Sequence, residues 1–189
     1  MSLFLVKALD EGTWPDFVRL VEKHNGVWGG CWCLYFHHKG TGSQEQNKQT
    51  KYELVCQGRA QAALVYDGDN AVGWCQFGRP GDLPRIYHKK GYAQGVKEAP
   101  DWRITCFFVD RHYRKKGIAS VALQGALDLI ARQGGGIVES FPALIEGRKT
   151  SASVLYNATV SVFERLGFER VCQIGMHHWL VTKSVKSQG

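Results

Sequence analysis

No run of apolar residues in this chain of 189 is long enough to cross a bilayer, and Leu3 to Val6 is too short for the apolar part of a secretory signal. The sequence therefore predicts a cytoplasmic protein with no membrane contact. Its six cysteines, at 31, 33, 56, 75, 106 and 172, are scattered in a chain rich in apolar residues, which predicts reduced thiols and no disulfide frame. Neither Gly-x-Gly-x-x-Gly nor Gly-Lys-Ser/Thr occurs, which sets aside a dinucleotide fold and a P-loop. No internal repeat stands out. The net charge is +7, yet no block of five or more like charges appears. Spread cations of this kind suit a polyanionic small ligand and argue against nucleic acid as the main partner. The length fits one domain over residues 1–189, large enough to bury a continuous core.

What is present is a string of alternating strand and helix signals. Leu3 to Ala8 reads as a first strand, followed by a helix with Thr13 as N-cap, Pro15 in its first turn and Phe17, Leu20 and Val21 on its apolar face. Asn25-Gly26 ends that helix. A polar stretch from Thr41 to Thr50 leads into a helix carrying Tyr52, Leu54 and Val55. Ala62 to Tyr66 and Ala71 to Phe77 flank Asp67-Gly-Asp-Asn70, a hairpin signal. Residues 78 to 100, with Pro80, Gly81, Pro84, Gly91, Gly95 and Pro100, read as a loop or a loop with one short helix. Glu169 to Ile174 and His177 to Val185 read as a closing pair of strands.

The most informative stretch runs from Cys106 to Ala119. Ile104 to Val109 is short and rich in β-branched and aromatic residues, as a buried strand should be. Ala119, Ala122, Leu123, Ala126, Leu127 and Ile130 recur at spacings of three and four, placing one apolar stripe on a helix. Between them lies the turn Arg114-x-x-Gly117-x-Ala119. A glycine lets the backbone approach a ligand closely, and the first amides of the next helix point at any negative charge placed there. Arg114, Lys115 and Lys116 add cationic side chains. Ile137 to Phe141 reads as the following strand, completing a βαβ unit.

These residues resemble the GNAT superfamily of acyl-CoA-dependent N-acetyltransferases. Val109, Arg114, Gly117 and Ala119 match its first signature, a strand ending in Val, then Arg/Gln-x-x-Gly-x-Gly/Ala opening a helix; Arg111 stands where many members have Pro. Phe163-Glu-Arg-Leu-Gly-Phe168 is similar to its second signature, a helix ending in Glu-Lys/Arg-x-Gly-Phe. The resemblance spans roughly residues 100 to 170. It implies a mixed, mostly antiparallel sheet flanked by helices, of α/β class, and acetyl-CoA as co-substrate with no metal. It further implies that Phe108 and Val109 hold the pantetheine arm through their main chain, and that Arg114, Lys115, Lys116, Gly117, Ile118 and Ala119 hold the pyrophosphate. Asn157 joins this acetyl-CoA set.

The implied reaction is attack of a neutral amine on a thioester, which needs two aligned substrates, a stabilised oxyanion and two managed protons. Many members carry a Tyr as acid before the second signature's end, where this chain has Phe163. Tyr156, seven residues or almost two helical turns earlier, shares a helical face with Phe163 and is then the candidate acid; packing with its hydroxyl at the rim is the other reading. Glu139, the one carboxylate in Ile137 to Phe141, is the candidate base, and is equally placed to face solvent or pair with a cation. His177 and His178, on a late strand, read as structural.

Cys31-x-Cys33 followed by His37-His38 has the wrong spacing for a structural zinc site. Trp28, Cys31, Trp32, Cys33, Tyr35 and Phe36 read instead as an apolar wall over the acceptor, with Trp32, Cys33 and Trp74 contacting it and Tyr87 as an addition, or as plain core. Acylation of Cys33 or Cys106 is a minor variant. The sequence thus predicts an N-acetyltransferase acting by direct attack on a small-molecule or protein amine, as a monomer or a homodimer. The alternative is a non-catalytic acyl-CoA sensor, motivated by Phe163.

Overall fold

Seven strands form one sheet in this computed structural model, which describes residues 4–37, 42–145 and 155–189. They are β1 (Leu5–Ala8), β2 (Gln61–Asp67), β3 (Asn70–Gly78), β4 (Trp102–Val109), β5 (Gly136–Ser140), β6 (Glu169–Gln173) and β7 (Trp179–Val185), in the order β1-β2-β3-β4-β5-β7-β6. Every pairing is antiparallel except β4–β5. That exception follows from chain order, because a parallel neighbour needs a crossover and α4 (Ile118–Arg132) supplies it.

Strand alternation sorts the side chains into two layers. Leu64, Tyr66, Trp74, Cys106 and Phe108 pack under α1 (Trp14–Lys23) and α2 (Gln44–Cys56). Val65, Cys75, Phe77, Ile104 and Phe107 pack under α4 and α5 (Val160–Arg165). The predicted stripe of α4 is the one that is buried, with Ala122, Leu123, Ala126 and Ile130 fully enclosed and Ala119 half-buried. Among the described residues no helix is long and apolar enough to cross a membrane.

Local chemistry explains where elements begin. The hairpin turns at Gly68-Asp69 as predicted. The helix α2 starts inside the polar stretch, at Gln44, because Ser43 and Gln46 close a capping box: the Ser43 hydroxyl accepts from Gln46 N–H at 3.3 Å and Gln46 Oε1 from Ser43 N–H at 2.8 Å. Thr13 precedes α1 without capping it through its side chain. Its hydroxyl instead donates to Ala8 O at 2.8 Å and accepts from Asp10 N–H at 2.9 Å, tying the end of β1 to the helix start. The short helix of the 78–100 loop is α3 (Lys89–Gly95).

Two details set up the site. The register passes from Gln76↔Cys106 to Phe77↔Ile104, leaving Thr105 as an extra residue on β4, a bulge that bends and twists the strand. The β4–β5 pairing stops at the same place, after Ile104↔Ser140. Beyond the bulge the two strands part. Gly73 on β3 fixes the far end: a methyl there would lie 2.7 Å from Phe108 O and 2.8 Å from Ile118 Cγ2, so glycine lets the first turn of α4 press onto the sheet.

Candidate active site

Parting from β5 leaves one edge of β4 open from Thr105 to Val109. Asp110 N–H donates to Val72 O, so Cys106 and Phe108 also turn their peptide groups toward β3, while those of Phe107 and Val109 face the opening. Phe107 N–H is taken by Tyr156 O at 2.6 Å. Val109 therefore turns its main-chain groups into the opening. Phe108, expected beside it, does not: its peptide groups go to β3 and its ring stacks on Trp74, with centroids 4.7 Å apart.

The turn after β4 is built as the sequence predicts. Asp110 caps a 3₁₀ turn over Arg111–Tyr113 by accepting from His112 N–H at 2.9 Å, and Lys23 at the end of α1 holds the same carboxylate at 2.6 Å. Burial alone would raise the Asp110 carboxyl, but the bonds from Lys23, His112 and His24 bring it down to about 2. Tyr113 anchors the turn to the hairpin by donating to Asp67 Oδ2 at 2.9 Å. Lys115 (φ 64°) and Gly117 (φ 80°) are both left-handed, a conformation that costs a lysine about 1 kcal/mol or more. Gly117 caps α4, and the amides of Ile118 and Ala119 have no acceptor among the described residues. Arg114, Lys115, Lys116 and Gly117 are all exposed around them.

A cavity of about 280 Å³ lies on the other side of Cys106. Trp28 and Tyr87, both more than a third exposed, form its rim; Tyr35, Phe36 and Tyr156 form walls; and the thiols of Cys31, Cys33 and Cys106 complete the lining. Tyr35 and Tyr87 stack with centroids 4.9 Å apart, and Arg85 sits 4.0 Å over the Tyr35 ring. Cys33 belongs to this lining, as expected. Trp32 and Trp74 do not: at 2% and 1% exposure they are core, Trp32 beside Phe17 and Trp14, and Trp74 behind Cys33, to which its indole N–H donates at 3.3 Å. They shape the cavity from behind.

Tyr156 reaches the cavity by a route other than the expected one. The helix α5 starts at Val160, so Tyr156 is not on it and shares no helical face with Phe163. It lies in the preceding turn, docked on β4 through its own carbonyl. Phe163 is wholly buried edge-to-face against Phe107 and Phe168 on the other side of the sheet. Burial raises the Tyr156 hydroxyl, which stays protonated near neutrality. His178 stacks on the same ring, its imidazole kept neutral by burial and by His88 and His177; it precedes β7, which starts two residues later than the predicted strand.

Asn157 is fully buried, and neither amide atom has a partner among the described residues. An unmet buried amide costs about 1–3 kcal/mol per lost bond, which suits a group that is completed by a ligand. Together with the two open amides of α4, this makes the residues present fit acetyl-CoA.

Glu139 does not line the cavity. It is 1% exposed and accepts from Arg103 Nε at 2.6 Å and from the Tyr92 hydroxyl at 3.3 Å, on the face of the sheet opposite α4. Burial pushes its carboxyl up while Arg103 and Tyr92 hold it down. The geometry gives it a partner rather than a proton to take. Of the pattern at 31–38, His37 bonds Asp82 O through Nδ1 at 2.9 Å and Cys33 faces Cys106; His38 lies outside the described residues.

Sequence reasoning missed a buried polar chain beside the cavity. Lys51, 1% exposed, donates to Gln76 Oε1 at 2.6 Å and lies 3.3 Å from His37 Nε2, and Gln76 donates to Thr105 Oγ1 at 3.1 Å. The signal was there: Asn47 and Lys51 occupy the same stripe as Leu54 and Val55.

The arrangement has clear relatives. An N-acetyltransferase from Staphylococcus aureus Mu50 superposes with a TM-score of 0.54 at 12% identity, covering 98% of this chain and 99% of that one. A mosquito arylalkylamine N-acetyltransferase-like protein (5b) gives 0.55 at 13%, covering 96% and 100%. The structure described as histone acetyltransferase HPA2 and related acetyltransferase from Corynebacterium glutamicum gives 0.54 at 16%, covering 97% and 96%. These likenesses establish the fold. No curated protein matches the sequence significantly. The sequence model of the acetyltransferase (GNAT) family matches residues 27–168, three quarters of the chain and all of the site just described. The chain belongs to the GNAT family of acetyltransferases and is an acyltransferase.

Proposed function

We propose that the protein is an N-acetyltransferase that passes an acetyl group from acetyl-CoA to the neutral amine of an acceptor with an apolar body, by direct attack in a ternary complex. One observation carries this reading: β4, unpaired with β5 beyond Ile104, runs from Cys106 in the wall of the aromatic cavity to Val109 and the turn that opens α4 at Ile118 and Ala119. Three residues of extended chain separate Val109 from Cys106, about 10 Å, a span suited to a pantetheine tip lying along the strand.

In this reading the amides of Ile118 and Ala119, with Arg114, Lys115 and Lys116 around them, hold the pyrophosphate. Val109 supplies the main-chain groups for the pantetheine arm and an N–H for the oxyanion, and the Asn157 amide completes the grip. Tyr156 gives its proton to the departing thiolate. Tyr35, Phe36 and Tyr87 surround the acceptor and exclude water. The cavity lining contains no carboxylate among the described residues, so the amine arrives neutral and sheds its second proton to water.

The test is turnover of an amine panel with acetyl-CoA, read as acetylated product by mass spectrometry. Aromatic and alkyl primary amines should react, and initial rates with both substrates varied should give intersecting double-reciprocal lines. Parallel lines would replace direct attack by a two-step exchange. No turnover together with no calorimetric heat on adding coenzyme A would end the proposal.

A further inference from the structure

Cys33 and Cys106 come from distant parts of the chain, yet their sulfurs lie 2.7 Å apart in the wall of the acceptor cavity. A disulfide needs a separation of about 2.05 Å, so closing the bond asks for a shift of roughly 0.7 Å. Both residues are otherwise buried, at 2% and 3% exposure, and the cavity is their route to small solutes.

The surroundings make the pair asymmetric. Two donors converge on the Cys33 sulfur, the Cys106 thiol and the Trp74 indole N–H. Lys51 is buried nearby with Gln76 and His37 as neutral hydrogen-bond partners; burial lowers its pKa, and the neighbouring Cys33 sulfur works against that lowering. Burial would lift the Cys33 thiol, but the Cys106 hydrogen bond, Lys51 and Trp74 bring it below the ordinary value, while Cys106, as the donor, is raised. Cys31, on the same cavity, is pushed up to about 12 by burial and by Cys33. A sulfur of lowered pKa touching a second thiol is the arrangement that peroxide chemistry uses.

We propose that Cys33 and Cys106 form a redox site at which hydrogen peroxide is reduced and the two sulfurs become a disulfide. The Cys33 thiolate attacks the terminal peroxide oxygen, breaking the O–O bond and leaving a sulfenic acid at Cys33 with hydroxide as the leaving group. The Cys106 sulfur then attacks the Cys33 sulfur, forming the S–S bond and expelling the second oxygen as water. Its proton and one from solvent complete two waters, and the two cysteines together lose two electrons. An external dithiol reverses the change by exchange.

The bond also has a mechanical effect. It ties the segment carrying Cys33, which holds left-handed backbone at Trp32 and Cys33, to the strand that carries the proposed thioester site. The acceptor wall is thereby fixed in a new position. This second effect rests on the acetyl-transfer reading above, whereas the oxidation itself does not.

The experiment treats the full-length protein with stoichiometric hydrogen peroxide, without acetyl-CoA, and reads intact mass and a non-reducing peptide map. The expected result is a mass about 2 Da lower and a cross-linked pair of peptides containing Cys33 and Cys106, both reversed by dithiothreitol. In Cys106→Ser, peroxide should leave a sulfenic acid at Cys33 that dimedone captures; in Cys33→Ser no such adduct should form at Cys106. Cys56→Ser, which removes an exposed thiol remote from the cavity, should keep the full response. Linkage of Cys31 to either partner, oxidation confined to Cys56, or direct passage of Cys33 to sulfinic acid in the unsubstituted protein would overturn the assignment. The unsubstituted protein's peptide map decides the matter even if a variant does not fold. Where acetyl transfer is measurable, the oxidised protein should lose about tenfold or more in rate and regain it on reduction.

Discussion

Arg103 and Glu139 face each other at the same rung of the sheet's one parallel pairing and join through an ion pair of 2.6 Å, with side chains 5% and 1% exposed. The Arg103 guanidinium also donates to Leu83 O at 2.6 Å, so the pair fastens the 78–100 loop to the strands just before they part. Replacing Glu139 with Gln leaves a buried guanidinium without its counter-charge, which costs about 3 kcal/mol or more. Chemical denaturation should show that loss. A general base would contribute about 100-fold or more to the rate, and the kcat of Glu139→Gln, measured where the variant is folded, should stay well inside that factor. A loss of that size together with a lost limb in the pH–rate profile would restore Glu139 as the base.

Gly117→Glu should abolish detectable heat on titration with coenzyme A. The new carboxylate would stand beside the open amides of Ile118 and Ala119 and repel a pyrophosphate. The substitution also forces a side chain into φ +80°, which by itself lowers stability by about 1 kcal/mol. Gly68→Ala separates the two effects. Gly68 has φ +58° and open space around it, but it sits in the β2–β3 turn. It should show the stability loss with coenzyme A affinity unchanged.

The contrast between these two sites measures what could be read from residues alone. The turn was legible because it is local: Val109 to Ala119 is one continuous stretch, and glycine at 117 announces the left-handed backbone that the turn requires. The apolar stripe of α4 and the hairpin at Gly68-Asp69 were legible for the same reason. Glu139 was not, since its partner Arg103 is 36 residues away and nothing local distinguishes a paired carboxylate from a catalytic one. Trp32 and Trp74 were expected at the acceptor because aromatic residues suit both cores and binding walls; only the layer each strand or loop faces decides between them. Tyr156 was expected to share a helical face with Phe163, and it does not. A seven-residue spacing implies a shared helical face only if the helix is continuous, and here it begins four residues too late.

Tyr156→Phe should lower kcat by about 100-fold while leaving coenzyme A affinity unchanged, because it removes one hydroxyl from the cavity and keeps the ring that packs against Phe36 and His178. The main-chain bond from Phe107 N–H to Tyr156 O is untouched by the substitution. Donors that give up a thiolate of lower basicity need less help from an acid, so acetyl thioesters of a more acidic thiol should recover part of the lost rate in the variant. An unchanged kcat would assign the leaving thiolate's proton to water.

The acid sensitivity of the cradle rests on Asp110. Its carboxyl falls to about 2 in the folded chain against about 3.9 unfolded, so the folded state binds the proton more weakly. The stabilisation is therefore fully present above about pH 4 and is lost as the pH falls through about 2. A shift of this size corresponds to about 2–3 kcal/mol at most, and to about 1 kcal/mol once the half-exposed Lys23 is allowed its screening. Asp110→Asn keeps an acceptor for His112 N–H and removes only the charge. It should unfold at lower urea concentration than the unsubstituted protein at pH 7, with the gap narrowing steadily below pH 4. Because the same carboxylate holds the turn that opens α4, coenzyme A affinity should fall in parallel at pH 7. A gap that stays constant down to pH 2.5 would mean that Lys23 and Asp110 are not coupled in the folded chain.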